Sequence, residues 1–176
     1  MPDADPDPRI DREDEPQIKG GEMKSNCQKL NHHHIHDLAV ISKEEGFPYP
    51  ISEDAARVYC QNRDVFDTGV QTYGVFEDDK LVSVMTATFC LVFPCEDSPS
   101  GRIAHISGAY TLPSYRHRRY ATVLLTAIEG DAEAFGADYL CCDSTADGLY
   151  LSFGMHPTSD DETRMWKKLK KEEEII

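Results

Sequence analysis

No apolar stretch in this chain reaches the ~20 residues a helix needs to cross a bilayer, and the N-terminus has no apolar core of the kind that marks a secretory signal. A cytoplasmic protein with no membrane partner is therefore expected. Positive charge is scarce: 18 lysines and arginines face 32 aspartates and glutamates, a net charge of −14. That balance argues against a nucleic-acid partner and mildly favours a cationic small molecule through long-range attraction. Cysteine motifs are missing too. Cys27, Cys60, Cys90, Cys95, Cys141 and Cys142 form no C-x-x-C and no metal-like spacing, so no metal is expected. Cys90, Cys141 and Cys142 lie in apolar runs and read as small buried hydrophobes in a reducing compartment. There is no internal repeat.

What remains is one ordinary domain's length, 176 residues, enough to bury a sizeable core. Residues 1–20 read as a separate tail. Pro2, Pro6, Pro8 and Pro16 alternate with acids there, and such a segment cannot bury enough apolar surface to order itself. The domain proper is placed at 21–176, and its end, Lys167 to Glu174, is almost wholly charged.

One segment stands apart from the acidic background. Arg116, His117, Arg118 and Arg119 occupy four consecutive positions, after the apolar, strand-like run Ile103–Tyr110 and before an amphipathic helical pattern. A loop that enters a helix offers unpaired backbone N–H groups and the positive end of the helix dipole, and arginines add bidentate donors. Together these make an anion site suited to a polyphosphate. On charge alone, a basic helix start that only offsets the surrounding acid is an equal reading.

The rest of the pattern is mixed. A first helix is expected from about Ser25 to Glu45, ending near Gly46, and a second after Ser52, whose hydroxyl can cap Glu53-Asp54-Ala55. Thr72–Phe76 and Leu81–Phe93 read as a hairpin around Glu77-Asp78-Asp79-Lys80, the second arm apolar on both faces and so central. Pro94–Gly101 reads as a turn-rich loop and Arg102–Thr111 as the next strand. Ala121, Leu124, Leu125, Ile128, Ala132 and Phe135 recur at helical spacing, with Gly136 as C-cap. Tyr139–Cys142 reads as a buried strand, Asp147–Phe153 as a short helix and Thr163–Leu169 as a last strand. The fold class is α+β: a mixed, mostly antiparallel central sheet with helices on both faces.

Three short motifs fall in order around the long helix. Pro113-Ser114-Tyr115-Arg116 matches a P-x-Y-R entry, Arg116 and Ala121 fill the first and last places of an [RQ]-x-x-G-x-[GA] loop, and Leu149–Met155 resembles L-Y-x-x-x-G-F. In this order they resemble the GNAT superfamily of N-acetyltransferases over roughly residues 70–170. Arg119 departs from the pattern, standing where the middle glycine is expected, and Met155 replaces the final aromatic.

The resemblance implies acetyl-CoA as co-substrate, its pyrophosphate held by Arg116, His117, Arg118, Arg119, Tyr120, Ala121 and Thr122. It also implies a strand splayed from its parallel neighbour, with pantetheine in the gap and backbone N–H groups among Ala109, Tyr110 and Thr111 facing the oxyanion. Tyr150 aligns with the tyrosine that protonates the departing thiolate. His105 sits where the arylalkylamine branch of the family carries a strand histidine and suits a base; Asp143, after the next strand, is another base or substrate anchor. Packing roles for all three stay open, as does a bulge at Gly108. The histidines from His32 to His36 include a pair one helical turn apart, His32 and His36, but spacing supplies no third ligand.

The implied function is N-acetylation of a primary amine of a small molecule by direct transfer, a cationic one being mildly favoured by the acidic charge. A pseudo-acetyltransferase that binds acyl-CoA as a sensor or interaction domain stays open because of Arg119, as does an unrelated phosphate binder. A homodimer also stays open. The loops that would choose the acceptor, Gly46–Ile51 and Phe93–Gly101, carry no readable signature.

Overall fold

The computed structural model describes residues 26–48, 50–58, 69–144, 147–158 and 163–169. The acidic tail and the end of the charged C-terminal stretch fall outside them. Seven strands are present among these residues: β1 (Asn26–Lys29), β2 (Val70–Glu77), β3 (Lys80–Leu91), β4 (Arg102–Thr111), β5 (Tyr139–Asp143), β6 (His156–Pro157) and β7 (Arg164–Lys168). They form one sheet in the order β1-β2-β3-β4-β5-β7-β6. Every pairing is antiparallel except β4 with β5. The helices are α1 (Ile35–Ile41), α2 (residues 53–58), α3 (Tyr120–Phe135) and α4 (Asp147–Ser152).

The hairpin forms where expected, and β3 is interior to the sheet. From Leu81 to Met85 its apolar residues are buried because both faces are covered there, whereas Leu91 at its end is exposed. Phe89 meets Phe135 of α3, and Tyr73, opposite Met85, hydrogen-bonds Asp131 of that helix. On the other face Val84 pairs with Tyr110, whose ring meets Phe47 after α1. Helix α3 buries Leu124, Leu125, Ile128 and Ala132, the residues whose spacing marked it. It ends at Gly136, whose φ of +75° lets the N–H fold back onto the carbonyls of Ala132 and Glu133. The Pro94–Gly101 loop is pinned by Asp138, a buried carboxylate that accepts from the Ser98 hydroxyl and from the N–H and hydroxyl of Ser100.

The N-terminal part differs from expectation. Instead of one helix from Ser25 to Glu45, Asn26–Lys29 forms an edge strand paired with Tyr73–Phe76. A helical course then starts at a 3-10 turn, His32–His34, and α1 runs only to Ile41. Asn31 sets the start, because its side chain accepts from the His33 N–H while His34 Nδ1 accepts from its backbone N–H. Ser42 sets the stop: its hydroxyl donates to Ala39 and Ile51 carbonyls and accepts from the Ile51 N–H, which turns the chain toward α2. Ser52 does cap α2, accepting from the Ala55 N–H at 3.1 Å.

Candidate active site

The site grows out of the one parallel junction. β4 and β5 pair only from Ile103–Tyr139 to Ile106–Cys142. Beyond Ile106, β4 still follows β3 but slips by one residue: Ser107 faces Thr86, and the next aligned pair is Tyr110 with Val84. The extra residue is a bulge at Gly108, whose φ of +60° is left-handed backbone open to glycine. Strand β4 therefore bends away from β5 and leaves a gap.

That gap is a cleft of about 550 Å³. One wall is Ser107–Thr111 with Arg116 and Ala121, and the other is Asp143, Ser144, Leu149 and Tyr150. Gly46 and Ser83–Met85 complete it. Tyr110 lends its backbone to the wall, while its hydroxyl donates to the Glu45 carbonyl and so holds the turn after α1 against the cleft. Ser83, which sequence reasoning missed, bonds Thr111 Oγ1 at 2.7 Å and the Tyr110 carbonyl at 3.2 Å, tying the wall to β3. Gly46 opens the loop expected to border the acceptor, whereas Ser144 was not singled out because it carries no chemical signature in the sequence.

The arginine loop meets this cleft at its helix end. A 3-10 turn, Pro113–Tyr115, leads into it, and Arg119 is the N-cap residue of α3. No side chain caps the helix start, so the first N–H groups there lack an intrahelical partner. Arg119 takes φ +64°, ψ +15°, the left-handed conformation a glycine would adopt, and His117 has φ +63°. Each non-glycine residue in that region costs of order 1–2 kcal/mol. Arg116 Nε donates to the Thr111 carbonyl at 3.2 Å beside the cleft. Arg118 is engaged elsewhere, with Nη1 on Glu77 Oε1 at 2.9 Å and its guanidinium 5.0 Å from the Tyr115 ring. Tyr120 is buried and its hydroxyl donates to the same glutamate. The side chains of His117, Arg119 and Thr122 show no partner of this kind among the described residues: His117 and Arg119 are exposed and Thr122 is half-buried.

Tyr150, on α4, is 4% exposed and lines the cleft. Burial pushes its phenol up to about 12, with the Cys142 thiol adding to the rise and a hydrogen bond to Ser144 opposing it. His105 and Asp143 come together at 3.3 Å, Nε2 to Oδ2, and Arg164 Nε reaches Asp143 Oδ1 at 3.1 Å. Arg164 first, then His105, hold the Asp143 carboxyl below its usual range against some desolvation. An ionised carboxylate only accepts, so His105 Nε2 carries the proton and, in the neutral ring, Nδ1 is the acceptor. Asp143 lines the cleft; His105 stands one hydrogen bond behind it.

The other clusters stay apart from this site. His36 Nδ1 lies 2.9 Å from Glu53, and among the described residues no group of three or more His, Cys, Asp or Glu side chains is placed to hold a metal. Cys141 and Cys142 are buried and their thiols are pushed up, to about 12 and about 11, chiefly by burial.

A bulged strand splayed from its parallel neighbour thus meets, at the end of the gap, a loop that enters a helix. Residues 35–155 match the model of the Acetyltransferase (GNAT) family, and the chain belongs to that family. A predicted acetyltransferase of Clostridium acetobutylicum, crystallised with acetyl-CoA, is similar in fold at a TM-score of 0.64 and 20% identity, over 77% of this chain and 92% of that one. A GNAT acetyltransferase of Streptococcus pneumoniae gives 0.61 and 13% identity over 82% and 98%. The ribosomal-protein-S18-alanine N-acetyltransferase of Escherichia coli gives 0.56 and 17% over 85% and 97%. A comparison with curated protein sequences finds no match. No helix among the described residues is long and apolar enough to cross a membrane.

Proposed function

We propose that this acetyltransferase-family protein moves an acetyl group from acetyl-CoA directly onto a primary amine of a small substrate, with cationic amines favoured by the net charge of −14. The observation that carries the reading is the lining of one cleft by three unlike parts: the unpaired run of β4, the Arg116–Ala121 helix start, and Tyr150. A pyrophosphate would lie on the N–H groups of Tyr120, Ala121 and Thr122, with Arg116 and the unpartnered Arg119 and His117 closing on it. Arg118, engaged with Glu77, would act through the loop's shape. The left-handed backbone of Arg119 favours a competent loop over a degraded one.

Along the gap, a backbone N–H among Ala109, Tyr110 and Thr111 would take the charge that develops on the thioester oxygen. The amine nitrogen bonds to the carbonyl carbon as the carbon–sulfur bond breaks. The amine's proton passes through water to Nδ1 of His105, whose Nε2–H stays on Asp143, and Tyr150 donates its proton to the departing thiolate. Solvent then reprotonates Tyr150. Burial keeps the phenol protonated at neutral pH, and the same shift makes it a weaker acid than a free tyrosine.

Two assays test this together. In a thermal-shift screen, acetyl-CoA at 100 times its Kd should add about 2.7 kcal/mol of stability. A panel of amines should then release free thiol from acetyl-CoA only when an acceptor is present. No stabilisation by acetyl-CoA, or an equal response to ATP, would overturn the reading.

A further inference from the structure

The loop that opens α3 has the shape of a glycine loop without the glycine. Arg119 sits at φ +64°, in the region where a Cβ is disfavoured. What keeps it there is visible on its two neighbours. Arg118 Nη1 donates to Glu77 Oε1 at 2.9 Å and Oε2 at 3.2 Å, and the Tyr120 hydroxyl donates to Oε2 of the same carboxylate. On a continuing helix, residues two apart point roughly 200° away from one another. One carboxylate can hold both only if the backbone does not run on as helix through Arg119. Arg118 also closes the loop on its own start, with Nη2 3.4 Å from the Ser114 carbonyl and the guanidinium over the Tyr115 ring.

Electrostatics point the same way. Glu77 is the last residue of β2, and a bare carboxylate there would repel a polyphosphate seated on the neighbouring loop. Its pairing with Arg118 neutralises it. The side-chain exposures, 33% for Glu77 and 47% for Arg118, mean that charge attraction alone is screened. The geometric function, two donors from one loop on one acceptor, is what the pair adds.

We infer that Glu77 is a positioning residue that replaces the missing loop glycine, clamping Arg118 and Tyr120 on either side of Arg119 so that the amides opening α3 are set before the pyrophosphate arrives. The inference rests on the acetyl-CoA reading above. It makes Glu77 and Arg119 an energetically coupled pair, although Glu77 touches no substrate.

The test is a double-mutant cycle read by calorimetric affinity for acetyl-CoA and by kcat at saturating acetyl-CoA. Glu77→Ala should weaken binding about tenfold or more while leaving kcat within about twofold, because the reacting end of the cleft is untouched. Arg119→Gly alone should change affinity by less than about tenfold. In the Arg119→Gly background, Glu77→Ala should cost no more than about threefold, since glycine adopts the left-handed conformation without a clamp. Glu77→Gln keeps one acceptor oxygen but not the carboxylate that Arg118 and Tyr120 share, so it should give a smaller loss, also relieved by Arg119→Gly, and serves should Glu77→Ala fail to melt cooperatively. Wild-type affinity in Glu77→Ala, or a loss that Arg119→Gly leaves in place, would overturn the inference alone. A wild type that does not bind acetyl-CoA would remove the functional reading and this inference with it.

Discussion

Tyr150 shows what burial does to a single group. Its ring is packed at the cleft wall, and its hydroxyl stays protonated because an anion there would lose its hydration beside the Cys142 thiol. Tyr150→Phe keeps the packing and removes the proton donor. Turnover should fall ~10²-fold or more with acetyl-CoA affinity little changed, which steady-state kinetics with calorimetry separates. The raised value also bears on stability. The contribution of the neutral phenol is fully present below its ordinary value of ~10 and is lost as pH rises through about 12. Denaturant midpoints should therefore drop over that interval, less steeply in Tyr150→Phe; Cys141 and Cys142, raised as well, maintain part of the slope. Across the cleft, His105 is oriented by Asp143. If it takes the amine proton, the low-pH limb of kcat/KM that a histidine base imposes should be gone in His105→Gln. A limb that persists would move the role to Asp143 or to the acceptor amine.

At the scale of elements, the cleft depends on where strand pairing stops. The bulge at Gly108 both frees β4 from β5 and keeps it on β3. A Cβ there would meet only Thr86, at an ordinary 3.8–3.9 Å, so the penalty for Gly108→Ala is conformational rather than steric. The expected cost is about 1–2 kcal/mol in denaturant unfolding. A smaller loss would mean the strand can relax its bulge. Elements that bury a face were legible in the sequence. The apolar runs that form β3 and β4 and the helical spacing in α3 each arise because water is excluded from one side or both. The stretch from Asn26 to Gly46 was not legible, because its form depends on distant partners. Asn26–Lys29 is a strand only through Tyr73–Phe76. Glu77 was missed for the same reason: in a Glu-Asp-Asp-Lys turn it reads as a solvated charge, and its partners Arg118 and Tyr120 lie far along the chain. Of the candidate site, Arg116, Ala109, Tyr110, Thr111, Ala121, Asp143 and Tyr150 do meet in one cleft, while His105 stands just behind it.

For the whole molecule, the family match begins at Ile35, well before the strand–loop–helix core that the sequence motifs marked. The additional part is α1, α2 and the turn held by Tyr110, the side of the molecule that borders the cleft at Gly46. A protein of net charge −14 gathers three arginines and a histidine at a helix start that borders its cleft. The most direct measurement is therefore calorimetry of acetyl-CoA with the wild type and with Arg116→Ala. Micromolar binding is expected for the wild type, and binding at least about tenfold weaker for the variant, since a charge-assisted bond to phosphate contributes ~1.5–3 kcal/mol. A wild type without measurable affinity, or an Arg116→Ala protein that binds acetyl-CoA as tightly as the wild type, would contradict the assignment of this loop as the pyrophosphate site.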